Sequence, residues 1–261
     1  MLAYQFNWVL YGVLVMQVYT YHQVSFRDHV AIKCLVYGLF ALETVRTILL
    51  THDSFQQLAL NWGSLEGLYT LNYLWLDVPI FIGISSVCIQ CFYAWHIYIL
   101  GQSKALSILI LLVALMQCGG AFAEGILSKV YSNVPGTQIN TLRSCTVWLA
   151  GTSTCDVIIA CSMVYHLSRK RTGYKSTDIV INKLIQLVIE TGMATAIIAI
   201  IELSLFLQFK HNFYHIVPAL LLSKMYSNSL LALLNNRVSL RNQASNPNSS
   251  MSPAIWRDSS E

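Results

Sequence analysis

The stretch that decides the fold is Pro218–Arg237, "PALLLSKMYSNSLLALLNNR". Apart from Lys224, its first half reads as an apolar helix suited to lipid. A charged side chain at the centre of a membrane-crossing helix costs at least ~2.5 kcal/mol on insertion scales and is kept where the bundle interior supplies a partner. The stretch therefore predicts a helix packed among other helices, with a carboxylate opposite Lys224.

The rest of the chain supplies those helices. Of 261 residues, 55% are hydrophobic and 11% charged, against roughly a quarter charged in an ordinary soluble domain. Apolar runs of about 20 residues, the length that crosses hydrocarbon, predict helices near 2–22, 30–52, 75–99, 105–127, 144–167, 181–208 and 213–235. The expected fold is an all-α, seven-helix transmembrane bundle over 1–235. A Ser/Asn-rich tail, 236–261, is expected to be disordered. The first residues lack the basic n-region and small-residue cleavage site of a signal peptide, so they are read as a retained first span.

Basic residues set the orientation. Arg27, Lys33, Lys104, Arg169, Lys170, Arg171, Lys175, Lys183, Arg237, Arg241 and Arg257 fall on one side, eleven in all, against Lys129, Arg143 and Lys210 on the other. The tail and the "SRKRTGYKSTD" loop are thus expected in the cytoplasm and the N-terminus outside, a receptor-like layout that favours the plasma membrane. Thr177 and Asp178 are placed to cap the sixth helix. The net charge of +4 reports this asymmetry and no nucleic-acid partner. The expected partners are the lipid bilayer and, at the 169–183 loop, anionic lipid.

Seven cysteines, an odd number lying in apolar stretches, read as small hydrophobes and not as a disulfide framework. Cys88 and Cys91 have a CxxC spacing, but no second pair or nearby histidine accompanies them. Gly119, Gly120, Ala121, Ala123 and Gly125 give the fourth helix a small-residue face for close packing. Gln17, Gln90 and Gln117 are expected to hydrogen-bond between helices.

A rise of about 1.5 Å per residue puts Lys224 and Asp156 near the centres of their helices, with Glu43 slightly further out. Glu43 and Asp156 are the candidate partners of Lys224. Ser227, Asn228 and Asn235 continue a polar stripe down the same helix, and Arg46 lies one turn from Glu43. Glu190 lies toward the cytoplasm, and Glu202, Glu124 and Asp77 toward the outside. Six acids in or beside the spans thus face two bases, so some must be protonated, solvated or bound to a cation. A lysine midway along the last helix is also what retinal proteins use for a Schiff base, but nothing else here supports retinal. A second cluster lies at the outer surface. His52 and Asp53 end the second helix, and His211 and His215, four apart, open the seventh. That spacing lets two imidazoles share a zinc ion with Asp53, although interfacial histidines and aromatics need no metal to explain them.

The residues Cys155-Asp156, Arg171-Thr172-Gly173, Thr177-Asp178, Leu184-Ile185, Thr191-Gly192, Lys224 with Tyr226, and Asn228-Ser229-Leu230-Leu231-Ala232 ending at Asn235 and Arg237 form one extended pattern. It resembles an uncharacterised family of multi-pass fungal proteins, abundant in mushroom-forming basidiomycetes and catalogued only as a domain of unknown function. "ALETVRTILLTHD" resembles the second helix of such proteins. The resemblance implies a membrane address and seven helices, with Asp156, Lys224 and Asn228 on the motif, and no reaction. The short stretch before the first helix departs from it.

The expected function is a non-enzymatic receptor-like or transporter-like bundle. Its polar layer, Lys224, Asp156, Glu43, Asn228 and Glu190, would take a small ligand, proton or cation. Two readings stand beside it: a zinc-dependent intramembrane hydrolase on His52, Asp53, His211 and His215, and a structural membrane protein whose ion pair only fixes helix register.

Overall fold

Hydrocarbon offers no partner for backbone N–H and C=O groups, so a spanning chain must bond to itself, and a helix does this within one segment. The computed structural model describes residues 2–24, 29–60, 73–130, 137–169, 175–208 and 216–245, and no strand occurs among them. Seven long helices follow one another: α1 (Leu2–Val24), α2 (Val30–Phe55), α3 (Ile82–Gly101), α4 (Lys104–Val130), α5 (Thr137–Arg169), α6 (Lys175–Gln208) and α7 (Ile216–Ser245). α3 is entered through Leu74–Leu76 and a π turn, Asp77–Phe81. Pro79 sits inside that turn, where its missing N–H leaves a carbonyl without its helical donor and favours the wider winding.

Several helices outrun the apolar stretches that announce them. α5, expected near 144–167, covers Thr137–Arg169, and α6, expected from 181, begins at Lys175. Thr177 and Asp178 therefore lie within the first turns of α6 and do not precede it as caps. α7, expected to end near 235, runs to Ser245, so residues 236–245 are helical and not disordered tail. Apolarity marks only the hydrocarbon crossing. The helix ladder continues into water until a breaker intervenes, and "NRVSLRNQAS" holds no Gly or Pro before Pro247.

Among the described residues, six segments are long and apolar enough to cross a membrane: Val30–Phe55, Asp77–Gly101, Lys104–Val130, Thr141–Arg169, Ile181–Phe206 and Val217–Asn236. Those in α3 and α7 are the most enclosed. α3 packs on α4, α5 and α7, while α7 packs on α1, α6 and α3. The last helix is thus central, which is why it can carry polar side chains.

α1 is not among the six, because polar residues dilute its apolar character. Those residues are its joints. Tyr4 donates to Gln57 Oε1 at 3.2 Å, Trp8 Nε1 to Thr51 Oγ1 at 3.1 Å, and the Tyr11 hydroxyl lies 2.8 Å from Thr44 Oγ1. His22 Nδ1 lies 2.8 Å from the Tyr37 hydroxyl. The partners descend in number as α1 ascends, so α1 and α2 run antiparallel along their length. On α7, Asn228 Nδ2 donates to Leu10 O at 3.2 Å and Asn235 Nδ2 to Gln17 O at 2.9 Å. Both bonds join residues 218 apart, so α1 and α7 run parallel in a seven-residue register. A buried asparagine at a heptad position fixes such a register, because a slip would leave its amide unbonded.

The small-residue face of α4 seats it on two neighbours. A Cβ added at Gly120 would lie 3.1 Å from Trp148 N and 3.3 Å from Ser144 O on α5, and one added at Gly83 of α3 would lie 2.8 Å from Ala121 Cβ. Gly119 is exposed and has no neighbour within 4 Å of such a Cβ. Gly120→Val should therefore overpack α4 against α5 and lower stability by about 1–3 kcal/mol, while Gly119→Val should change it little. Thermal unfolding of the two variants in detergent micelles measures the difference.

Candidate functional site

Lys224 is fully buried, and three oxygens surround its ammonium. Its Nζ lies 2.8 Å from Glu43 Oε2 and donates to Thr47 Oγ1 at 2.8 Å and to Glu43 O at 3.2 Å. The Tyr11 ring covers it, with its centroid 4.7 Å away, where the ring face favours a cation. Glu43, equally buried, accepts at Oε1 from Ser223 Oγ and from Ser227 Oγ at 3.2 Å. Ser223 and Ser227 are one helical turn apart and so share a face of α7.

Arg46, a turn beyond Glu43 on α2, prefers another partner. Its Nε donates to Asp77 Oδ1 at 2.8 Å, whereas its Nη1 stays 3.8 Å from Glu43 Oε2. Asp77 opens the π turn before α3, so the chain Lys224–Glu43–Arg46–Asp77 ties α7, α2 and the entry to α3. Both Arg46 terminal nitrogens, Asp77 Oδ2 and Glu202 Oε2 are buried without a hydrogen-bond partner. Glu202 on α6 lies within electrostatic reach of Arg46 and Glu124. Glu124 accepts from Ser144 Oγ at 2.7 Å and Ser128 Oγ at 3.3 Å.

Asp156 forms a separate network. Its Oδ2 accepts from the Tyr226 hydroxyl and from Thr195 Oγ1 at 3.0 Å, and its Oδ1 from Gln90 Nε2 at 3.3 Å. Gln117 Nε2 in turn donates to Gln90 Oε1. Five helices, α3 to α7, each contribute one side chain. Beside the carboxylate lies a cavity of about 30 Å³. Lys224 and Tyr226 are two positions apart, about 200° around a helix, so α7 sends the ammonium toward α2 and the phenol toward α5.

Lys224 therefore takes Glu43, and Asp156 stands apart from it. Asn228 is buried and bonds α1 and the Lys224 carbonyl, 2.8 Å away. Glu190 is exposed and bonds only locally, accepting from Gln186 at 2.7 Å. His52, half exposed, lies 3.6 Å from Asp53 Oδ1, while Asp53 Oδ2 accepts from Tyr73 N at 3.1 Å and anchors the approach to α3. His211 and His215 lie outside the described residues. All seven cysteines are free. Thr47, Thr195 and Ser223 went unremarked in the sequence because a lone hydroxyl in an apolar run usually bonds its own helix. Ser223 and Ser227 flanking Lys224 at helical spacing were the available signal.

Long apolar helices with charges drawn inward define an integral, multi-pass helical membrane protein. Residues 152–239 match the model of a family of unknown function (DUF6534). No curated protein and no solved structure matches the chain. The matched segment covers α5 from Thr152, including Asp156, the whole crossing part of α6, and Lys224, Tyr226, Asn228 and Asn235 on α7, so both networks have members in it.

Removing one partner of a buried ion pair strands the other charge, typically at about 3–5 kcal/mol, whereas removing both is often close to neutral. Glu43→Gln alone should destabilise by that amount, and Glu43→Gln with Lys224→Met should recover most of the loss. Denaturant unfolding of the single and double variants gives the coupling.

Proposed function

We propose that this protein is a seven-crossing bundle, receptor-like in layout and transporter-like in its interior, that handles a proton or small cation. One observation carries the reading. The buried acids Glu43, Asp53, Asp77, Glu124, Asp156 and Glu202 face only two buried bases among the described residues, Arg46 and Lys224. Uncompensated carboxylates are too costly in hydrocarbon to be idle in this number. The excess calls for a mobile positive charge.

The seventh crossing is α1. Its 23 residues extend about 34 Å at the usual helical rise, enough for the hydrocarbon core. Its antiparallel joints to α2 and parallel register with α7 are those of a first and a seventh span. The excess of basic residues supports an outer N-terminus and a cytoplasmic α7 end. The segment 169–183 meets anionic lipid headgroups there. A tag after Glu261 should be digested by added protease only once cells are permeabilised, and one before Met1 should be digested in intact cells.

A structural role is favoured by one feature, the close enclosure of Lys224 by Glu43, Thr47 and the Tyr11 ring. Vesicles enclosing a pH-sensitive dye separate the two. Wild-type protein should exchange lumenal protons for external cation faster than empty vesicles, and Lys224→Met should insert yet fall to the empty-vesicle rate. Equal rates in wild type and variant leave the Lys224–Glu43 pair as a register device only. A wild type no faster than empty vesicles removes the transport reading.

A further inference from the structure

We propose that the cavity beside Asp156 is a binding site for a sodium-sized monovalent cation that competes with a proton for the same carboxylate. This rests on the reading above and names its site. Asp156 differs from every other acid of the interior. Glu43 and Asp77 touch cations, Glu202 lies within reach of Arg46, and Glu124 and Asp53 sit at the outer ends of their helices. Asp156 lies mid-helix and only 6% exposed, and its three partners are neutral. The titratable groups facing it are Tyr93 from α3, Cys155 on its own helix and Tyr226 from α7. α4 and α6 bring Gln117, Thr191 and Thr195. Tyrosine and cysteine carry no positive charge in either protonation state, so among the described residues nothing from these helices neutralises Asp156.

The space and its lining favour a small ligand. The cavity of about 30 Å³ is roomy enough for a water-sized occupant, and so for a small dehydrated ion. Its lining offers hard oxygens from Asp156, Thr195, Tyr226, Thr191 and Ser229, the donor type that suits hard cations. One carboxylate balances one positive charge, whereas a divalent ion would leave a net charge in a low-dielectric interior. On binding, the Thr195 and Tyr226 oxygens present lone pairs to the ion while their protons go on donating to the carboxylate. With no ion present, a proton on Asp156 achieves the same neutrality, so the two occupants exclude each other.

Thermal unfolding of the purified full-length protein in detergent micelles tests this, with sodium chloride against choline chloride at equal ionic strength. Wild type should show a saturable, sodium-specific rise in Tm that weakens as pH falls and protons compete. Asp156→Asn, close in shape, should fold and lose the response. Tyr226→Phe, which keeps the ring and removes one oxygen, should need about tenfold more sodium, the equivalent of roughly 1.4 kcal/mol. A response retained in Asp156→Asn overturns the assignment. If it vanishes instead in Glu202→Gln, the cation belongs to the outer acids and the broader reading stands. Identical sodium and choline curves at every pH also overturn the site, and proton exchange in vesicles then judges the broader reading separately.

Discussion

The structure depends on the neutralisation of one ammonium group away from water. Lys224 has no exposed surface, and its stem cannot reach an interface from the middle of α7, so its charge must be met where it stands. Glu43 meets it at 2.8 Å, which forces α2 to present one particular residue to α7 at one particular depth. Thr47, one turn further along α2, and Tyr11, on α1, complete the shell. A buried ion pair this close tolerates little rotation or sliding of the helices that make it. In a membrane, where lipid tails are as apolar as leucine and burial gives helices little reason to associate, such a contact specifies geometry that greasy surfaces alone would not.

The same logic accounts for α1. A helix bearing Tyr4, Asn7, Trp8, Tyr11 and Gln17 fails a test of pure apolarity, yet most of these groups face neighbours and not lipid. Asn228 and Asn235 read α1 as a ruler with marks seven residues apart, while the tyrosine and tryptophan joints hold α2 at the other flank. Polarity that seems to weaken a span is here what locates it. Asn7 is the exception. Its amide is buried with neither atom hydrogen-bonded, and the packing around it offers no account of why.

How much was legible in the sequence follows from what each inference required. That Lys224 needs a carboxylate follows from charge and depth alone, and both are readable along a chain. Which carboxylate it takes is not, because Glu43 and Asp156 lie at similar depths and differ only in angle around the bundle. Helix order and rotation decide that, and they emerge only when seven helices close on one another. Spacing along one helix shows that Arg46 is within reach of Glu43, and it stays 3.8 Å away, but a π turn around Pro79 delivers Asp77 to a shorter contact of 2.8 Å, which no spacing shows. Glu190 shows the reverse failure. It is an acid within an apolar run, but its side of α6 is exposed and a local glutamine serves it. Helix ends were misjudged where polar sequence continues a ladder begun in hydrocarbon, as at Lys175 and Ser245.

Placing Lys224 and Tyr226 two residues apart gives α7 two faces with opposite properties. On one, the ammonium sits against a carboxylate, a hydroxyl and a carbonyl, and the contact is closed. On the other, a phenol reaches a carboxylate that has donors but no counter-charge, next to enough room for one small occupant. The ion proposed beside Asp156 would act on a helix already anchored at Lys224, so any shift at Tyr226 would be taken up against that anchor. Two closed faces would leave no room for an occupant, and two open ones would leave the bundle without a register.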